Sequence, residues 1–124
     1  MKEEFLIKAK ENLKAAEVLF DLRLYNASAN RAYYAAFQAA VAALAAAGFR
    51  DSAPSHSTVQ AKFSGELIHR RKIYPSKLGS YLTGLQIVRN NADYKTRMIS
   101  EKEASRQLAK AREFVITIER EISP

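Results

Sequence analysis

Cysteine is absent from this chain of 124 residues. That excludes disulfides, thiol nucleophiles and thiolate metal sites. Glycine occurs four times, never in the spacing of a phosphate-cradling loop. Histidine occurs twice, and no His/Asp/Glu group has metal-ligand spacing, so neither a metal nor a cofactor is expected. Long apolar runs are also missing. The longest, Ala39–Ala47, is too short and too weakly hydrophobic to span a bilayer. Met1–Glu4 leads straight into an amphipathic pattern, which favours a cytoplasmic protein over a secreted one. Strand-type alternation and internal repeats do not occur.

What remains is helix. Nearly half the residues are hydrophobic, too many for a disordered chain, and the length suits one domain over residues 1–124. The segment Asn26–Ala47 is alanine-rich and free of Gly and Pro, so intrinsic propensity alone favours a helix. It would run roughly 33 Å. Tyr33, Phe37, Val41 and Leu44 form its large apolar stripe, and the small Ala faces admit close neighbours, a second copy included. Asn26 or Ser28 is a candidate N-cap, and Gly48 suits the left-handed position after the C-terminus.

The flanking segments repeat the pattern. Glu3–Leu22 carries a stripe of Phe5, Leu6, Ala9, Leu13, Ala16, Leu19 and Phe20. Phe49–Pro54 reads as a loop. Ser55 then caps a third helix near Ser57–Arg70, with Val59, Phe63 and Leu67 inward. A fourth helix near Ser76–Asp93 turns Leu78, Leu82, Leu85 and either Val88 or Arg89 to the core. Ser100 and Glu103 form a capping box before a last helix, Glu101–Ile122. The expected fold is an all-α up-and-down bundle of four to five helices.

The net charge of +7 is concentrated: residues 50–77 carry +4 and residues 78–100 carry +2. Such a focus suits RNA, DNA or a nucleotide phosphate, or else a basic surface kept for solubility. Arg70, Arg71 and Lys72 would steer an anion. On the second helix Arg31, Tyr34 and Gln38 share one face, with Asn30 beside them. Tyr33 reads as a core aromatic, and Tyr34 as the one whose hydroxyl enters a cleft. On the fourth helix Arg89 falls at the apolar stripe, with Asp93 at i+4. A buried Arg89 must be paired or line a cleft; the bland reading is a snorkelling side chain. His56 reads as capping or loop structure, and His69 as solvated.

Taken together, Asn30-Arg31-Ala-Tyr33-Tyr34-Ala-Ala-Phe37, Ser55-His56-Ser57 and Arg89-Asn-Asn-Ala-Asp93-Tyr94 resemble the HEPN family. The resemblance covers nearly the whole chain. It implies a helical bundle that commonly forms a homodimer, with ribonucleases and toxins among its members. Others are nucleotide-binding modules paired with a minimal nucleotidyltransferase. The ribonuclease members carry Arg, four to six residues, then His. Here the matching Arg is Arg89, but Tyr94 stands at the first position open to that His, and Lys95 and Thr96 follow. A phenol of pKa about 10 is no substitute for a near-neutral acid–base. The expected function is therefore nucleotide or RNA binding through Asn30, Arg31, Tyr34, Gln38, Arg89 and Asp93. The alternatives are a ribonuclease toxin centred on Arg89, Asp93 and Tyr94, and a purely structural dimer.

Overall fold

A computed structural model describes residues 1–50 and 54–123. Helix α1 spans Lys2–Asp21, α2 spans Tyr25–Ala46 and α3 spans His56–Lys62. Without a break, α3 continues as a π-helical stretch, Phe63–Arg70; α4 (Ser76–Tyr94) and α5 (Glu101–Ile122) complete the chain. Among the described residues there is no strand, and the all-α bundle expected from the sequence is the observed architecture. No described helix is long and apolar enough to cross a membrane.

Helix α2 is the axis of the bundle and packs against every other helix. From Ser28 to Leu44 all its residues are buried except Asn30, Arg31, Tyr34 and Gln38. The alanine faces are thus consumed inside one copy, where methyl-sized side chains let α1, α4 and α5 approach closely. They are not available to a second copy, contrary to the expectation above.

The inward rows match the sequence stripes. Leu78, Leu82, Leu85 and Arg89 are the buried residues of α4, so Arg89 rather than Val88 takes the core position. Ala104, Leu108, Ala111, Val115 and Ile118 are buried on α5. Gly48 has φ +96°, the left-handed conformation that ends α2. Ser55 Oγ accepts from the Thr58 N–H at 3.2 Å, and Ser100 Oγ from the Glu103 N–H at 3.1 Å. The second half of the capping box is missing, because the Glu103 carboxylate accepts from Arg97 at 3.1 and 3.2 Å.

Two local expectations fail. Neither Asn26 nor Ser28 caps α2, which starts at Tyr25 with Leu24 in the cap position. Both side chains tie neighbouring elements instead. Ser28 donates to the Ala16 carbonyl at 2.8 Å, and Asn26 Oδ1 accepts from the Ile99 N–H at 2.9 Å. The third helix is also not uniform. Its second half widens to π geometry, as the Arg71 N–H bond to the Glu66 carbonyl shows. Gly79 lets α4 lie against this stretch: a Cβ there would sit 3.1 Å from Ser64 Oγ and 3.2 Å from Ile68 Cδ1. The loop expected over Phe49–Pro54 lies partly outside the described residues.

Candidate functional site

The N-terminal half of α2 faces the C-terminal end of α4. Asn30 Nδ2 donates to Asp93 Oδ2 at 2.7 Å and joins the two helices. Arg31 turns the other way. Its Nε donates to Asn30 Oδ1 at 2.9 Å and its Nη1 to Asn12 Oδ1 on α1 at 3.1 Å. Its guanidinium lies 4.8 Å from the Tyr34 ring centre. Arg31 is thus already held by hydrogen bonds inside the chain.

Arg89 is held differently. It is only 7% exposed, and its guanidinium stands 5.1, 5.5 and 5.9 Å from the ring centres of Tyr33, Tyr34 and Tyr94. Aromatic faces attract a cation but satisfy none of its N–H groups directionally. Asp93 Oδ2 is 3.8 Å from Nη1, beyond hydrogen-bond range. Nε is buried with no hydrogen-bond partner among the described residues. A guanidinium this buried is normally forked onto an acceptor. Arg89 is oriented by packing and keeps donor capacity unspent.

Tyr94, the last residue of α4, is 73% exposed. Gln38 lies one turn beyond Tyr34, its Oε1 buried without a partner among the described residues, and no hydrogen bond joins it to the cluster. The basic run sits elsewhere. Arg70 pairs with Glu66, while Arg71 Nη1 donates to the Ala47 carbonyl at 3.2 Å and its guanidinium covers the Phe49 ring at 5.0 Å. Ala47 is about 20 Å along α2 from Tyr34. Arg70 and Arg71 therefore have structural partners at the far end of the bundle, and Lys72 is exposed with φ +54°.

His56 is the residue that sequence reasoning undervalued. Ser55 does the capping, and His56, the first residue of α3, packs onto α2. Its ring is stacked 5.4 Å from Tyr33, 4.6 Å from Phe37 and edge-on to Tyr34 at 5.9 Å. Its Nδ1 meets the Tyr33 hydroxyl. Tyr33, not Tyr34, therefore carries the engaged phenol. Burial pushes Tyr33 up to about 12, although the Arg89 cation pulls the other way. Burial, and then the Arg89 charge, hold His56 below its ordinary value. The spacing of Tyr33 and Phe37 marked an apolar stripe on α2 but not which element would cover it.

Comparison with known proteins agrees with the motifs. The family described as "HEPN domain" matches residues 2–121. The chain is also 33% identical over 115 residues to the Methanocaldococcus jannaschii protein named "Putative toxin MJ0605", covering 90% of this chain and 81% of that one. With the helical bundle, the α2 and α4 motifs in contact, and a match across almost every residue, this chain belongs to the HEPN family.

Proposed function

We propose that this HEPN protein binds a phosphate-bearing ligand, a nucleotide or RNA, at the cluster of Asn30, Tyr34, Arg89 and Asp93. Arg31 and Gln38 form its second rank. The observation that carries the reading is Arg89: a nearly buried guanidinium, aligned by three tyrosine rings, with no hydrogen bond from Nε among the described residues. A phosphate oxygen supplies the missing acceptor. The name of the M. jannaschii relative supports a toxin–antitoxin setting, in which the partner protein would be a minimal nucleotidyltransferase. The active unit in this reading is a cytoplasmic homodimer. Its support lies in exposed apolar side chains such as Leu24 (51%) and Met98 (74%), which border one groove at the α1–α2 turn.

The test is titration with 5′-AMP and a short RNA at low salt, for the parent protein and Arg89→Ala. Binding by the parent that disappears in the variant, with the fold retained, supports the reading. Absence of binding by the parent sinks it. Recovery of a nucleotidyltransferase with the protein from its native host tests the module. A ribonuclease toxin is the second reading, favoured by the relative's name and opposed by Tyr94 at the histidine position.

A further inference from the structure

The next step rests on the reading that the cluster takes a phosphate-bearing ligand. We propose that His56 is a second ligand-binding group of that site, fixed by Tyr33 as the Nε2–H tautomer and donating a hydrogen bond to a phosphate oxygen beside Arg89.

The tautomer follows from proton counting. Tyr33 is fully buried, with its hydroxyl against His56 Nδ1. A phenol in that position keeps its proton and must donate it. Among the described residues, the hydrogen bond made by that oxygen is the one with His56 Nδ1. With His56 Nδ1 accepting that proton, the ring proton of the neutral imidazole is on Nε2. Among the described residues, the groups packed around His56 are Tyr33, Tyr34 and Phe37 from α2, with the Arg89 charge from α4. None of these is an anion. A second cation beside Arg89 is disfavoured, so the ring stays neutral and keeps one outward-capable donor.

That arrangement separates two chemistries. A ribonuclease base needs a ring nitrogen with an unoccupied lone pair. In this tautomer the Nδ1 lone pair is taken by Tyr33, and Nε2 carries a proton. His56 therefore does not supply the histidine missing at position 94. It supplies a donor, and Arg89 Nε is a second donor packed against the same two tyrosine rings. Two donors for which the described residues show no hydrogen-bond acceptor suit an anion. Inorganic phosphate, a nucleotide and an RNA phosphodiester share that chemistry.

Long-range proton–nitrogen NMR of the histidine rings at pH 7.5 should show His56 as the Nε2–H tautomer. The Nδ1–H form, or a charged ring, overturns the proposal at its premise. Binding is then measured with inorganic phosphate, 5′-AMP and a short RNA, which tells the phosphate sources apart. His56→Gln keeps an N–H near the Nε2 position and should hold affinity within about threefold, whereas His56→Asn should lose about ten- to a hundredfold. Circular dichroism confirms that both variants fold. Tyr33→Phe should mix the tautomers and weaken binding while Arg89 stays in place. If Arg89→Ala abolishes binding and His56→Asn leaves it intact, His56 is no ligand group although the site reading stands. If the parent binds none of the three probes, both fall.

Discussion

Asn30 and Asp93 bridge α2 and α4 with a hydrogen bond of 2.7 Å, and this geometry leaves the carboxylate 3.8 Å from Arg89. Asp93 is thus a tether between helices more than a neutraliser of the arginine. Asp93→Asn should therefore change stability by less than about 1 kcal/mol. The same variant removes the negative charge that competes with a ligand, so affinity for phosphate should rise several-fold. Were Asp93 the obligatory partner of a buried cation, the loss would be about 3–5 kcal/mol. Urea unfolding and a phosphate titration on one preparation separate the two.

Cleavage chemistry makes its own forecast. The parent protein should cut RNA weakly or not at all without metal, since position 94 holds an exposed phenol. Tyr94→His places an imidazole beside Arg89 and should produce measurable cutting of a labelled RNA. Efficient cutting by the parent, abolished by Arg89→Ala, would return the protein to the toxin reading.

Acid and alkaline limits should trace to the His56–Tyr33 pair. The folded state holds His56 below its ordinary 6.5, so the unfolded chain binds more protons as pH falls. The stabilisation is complete above pH 6.5 and is lost as pH drops through the depressed folded value. His56→Gln should flatten that limb. Tyr33 is raised from 10 to about 12, so its contribution is complete below pH 10 and is lost as pH climbs through about 12. The alkaline loss is on the order of 3 kcal/mol. Tyr74, raised by burial as well, adds in the same direction, so Tyr33→Phe should remove only part of it. Thermal melts across pH check both limbs.

Two glycines of α4 should respond unequally to alanine. At Gly84 the nearest atom to an added Cβ is Lys110 Nζ at 3.9 Å, and Gly84→Ala should stabilise by about 0.5–1 kcal/mol. At Gly79 the methyl would press on Ser64 and Ile68, so Gly79→Ala should gain less. Denaturation midpoints of the two variants give the comparison.

The helices and their inward rows were legible because helical periodicity is a local property, repeated along each segment. Arg89 was legible for the same reason: it stands on an apolar row and points where that row points. His56 was not. Its partner Tyr33 lies 23 residues earlier, and only the packing of α3 over α2 brings them together. The π-helical widening at Phe63–Arg70 left no mark in the apolar spacing, since Val59, Phe63 and Leu67 satisfy an ordinary helix equally well. The alanine faces of α2 were correctly read as contact faces, but residue size says nothing about whether the neighbour is the same chain or another.

Because α2 touches every other helix, no local opening can release its backbone while the remainder stays packed. The amides of its buried stretch, Ser28–Leu44, should exchange with deuterium only through global unfolding. Arg89, Asp93 and Tyr94 lie in the last turns of α4, where a helix frays. The cluster therefore joins the slowest-exchanging backbone of the molecule to a fast-exchanging end. A bound phosphate should slow deuterium uptake on α4 and leave α2 unchanged.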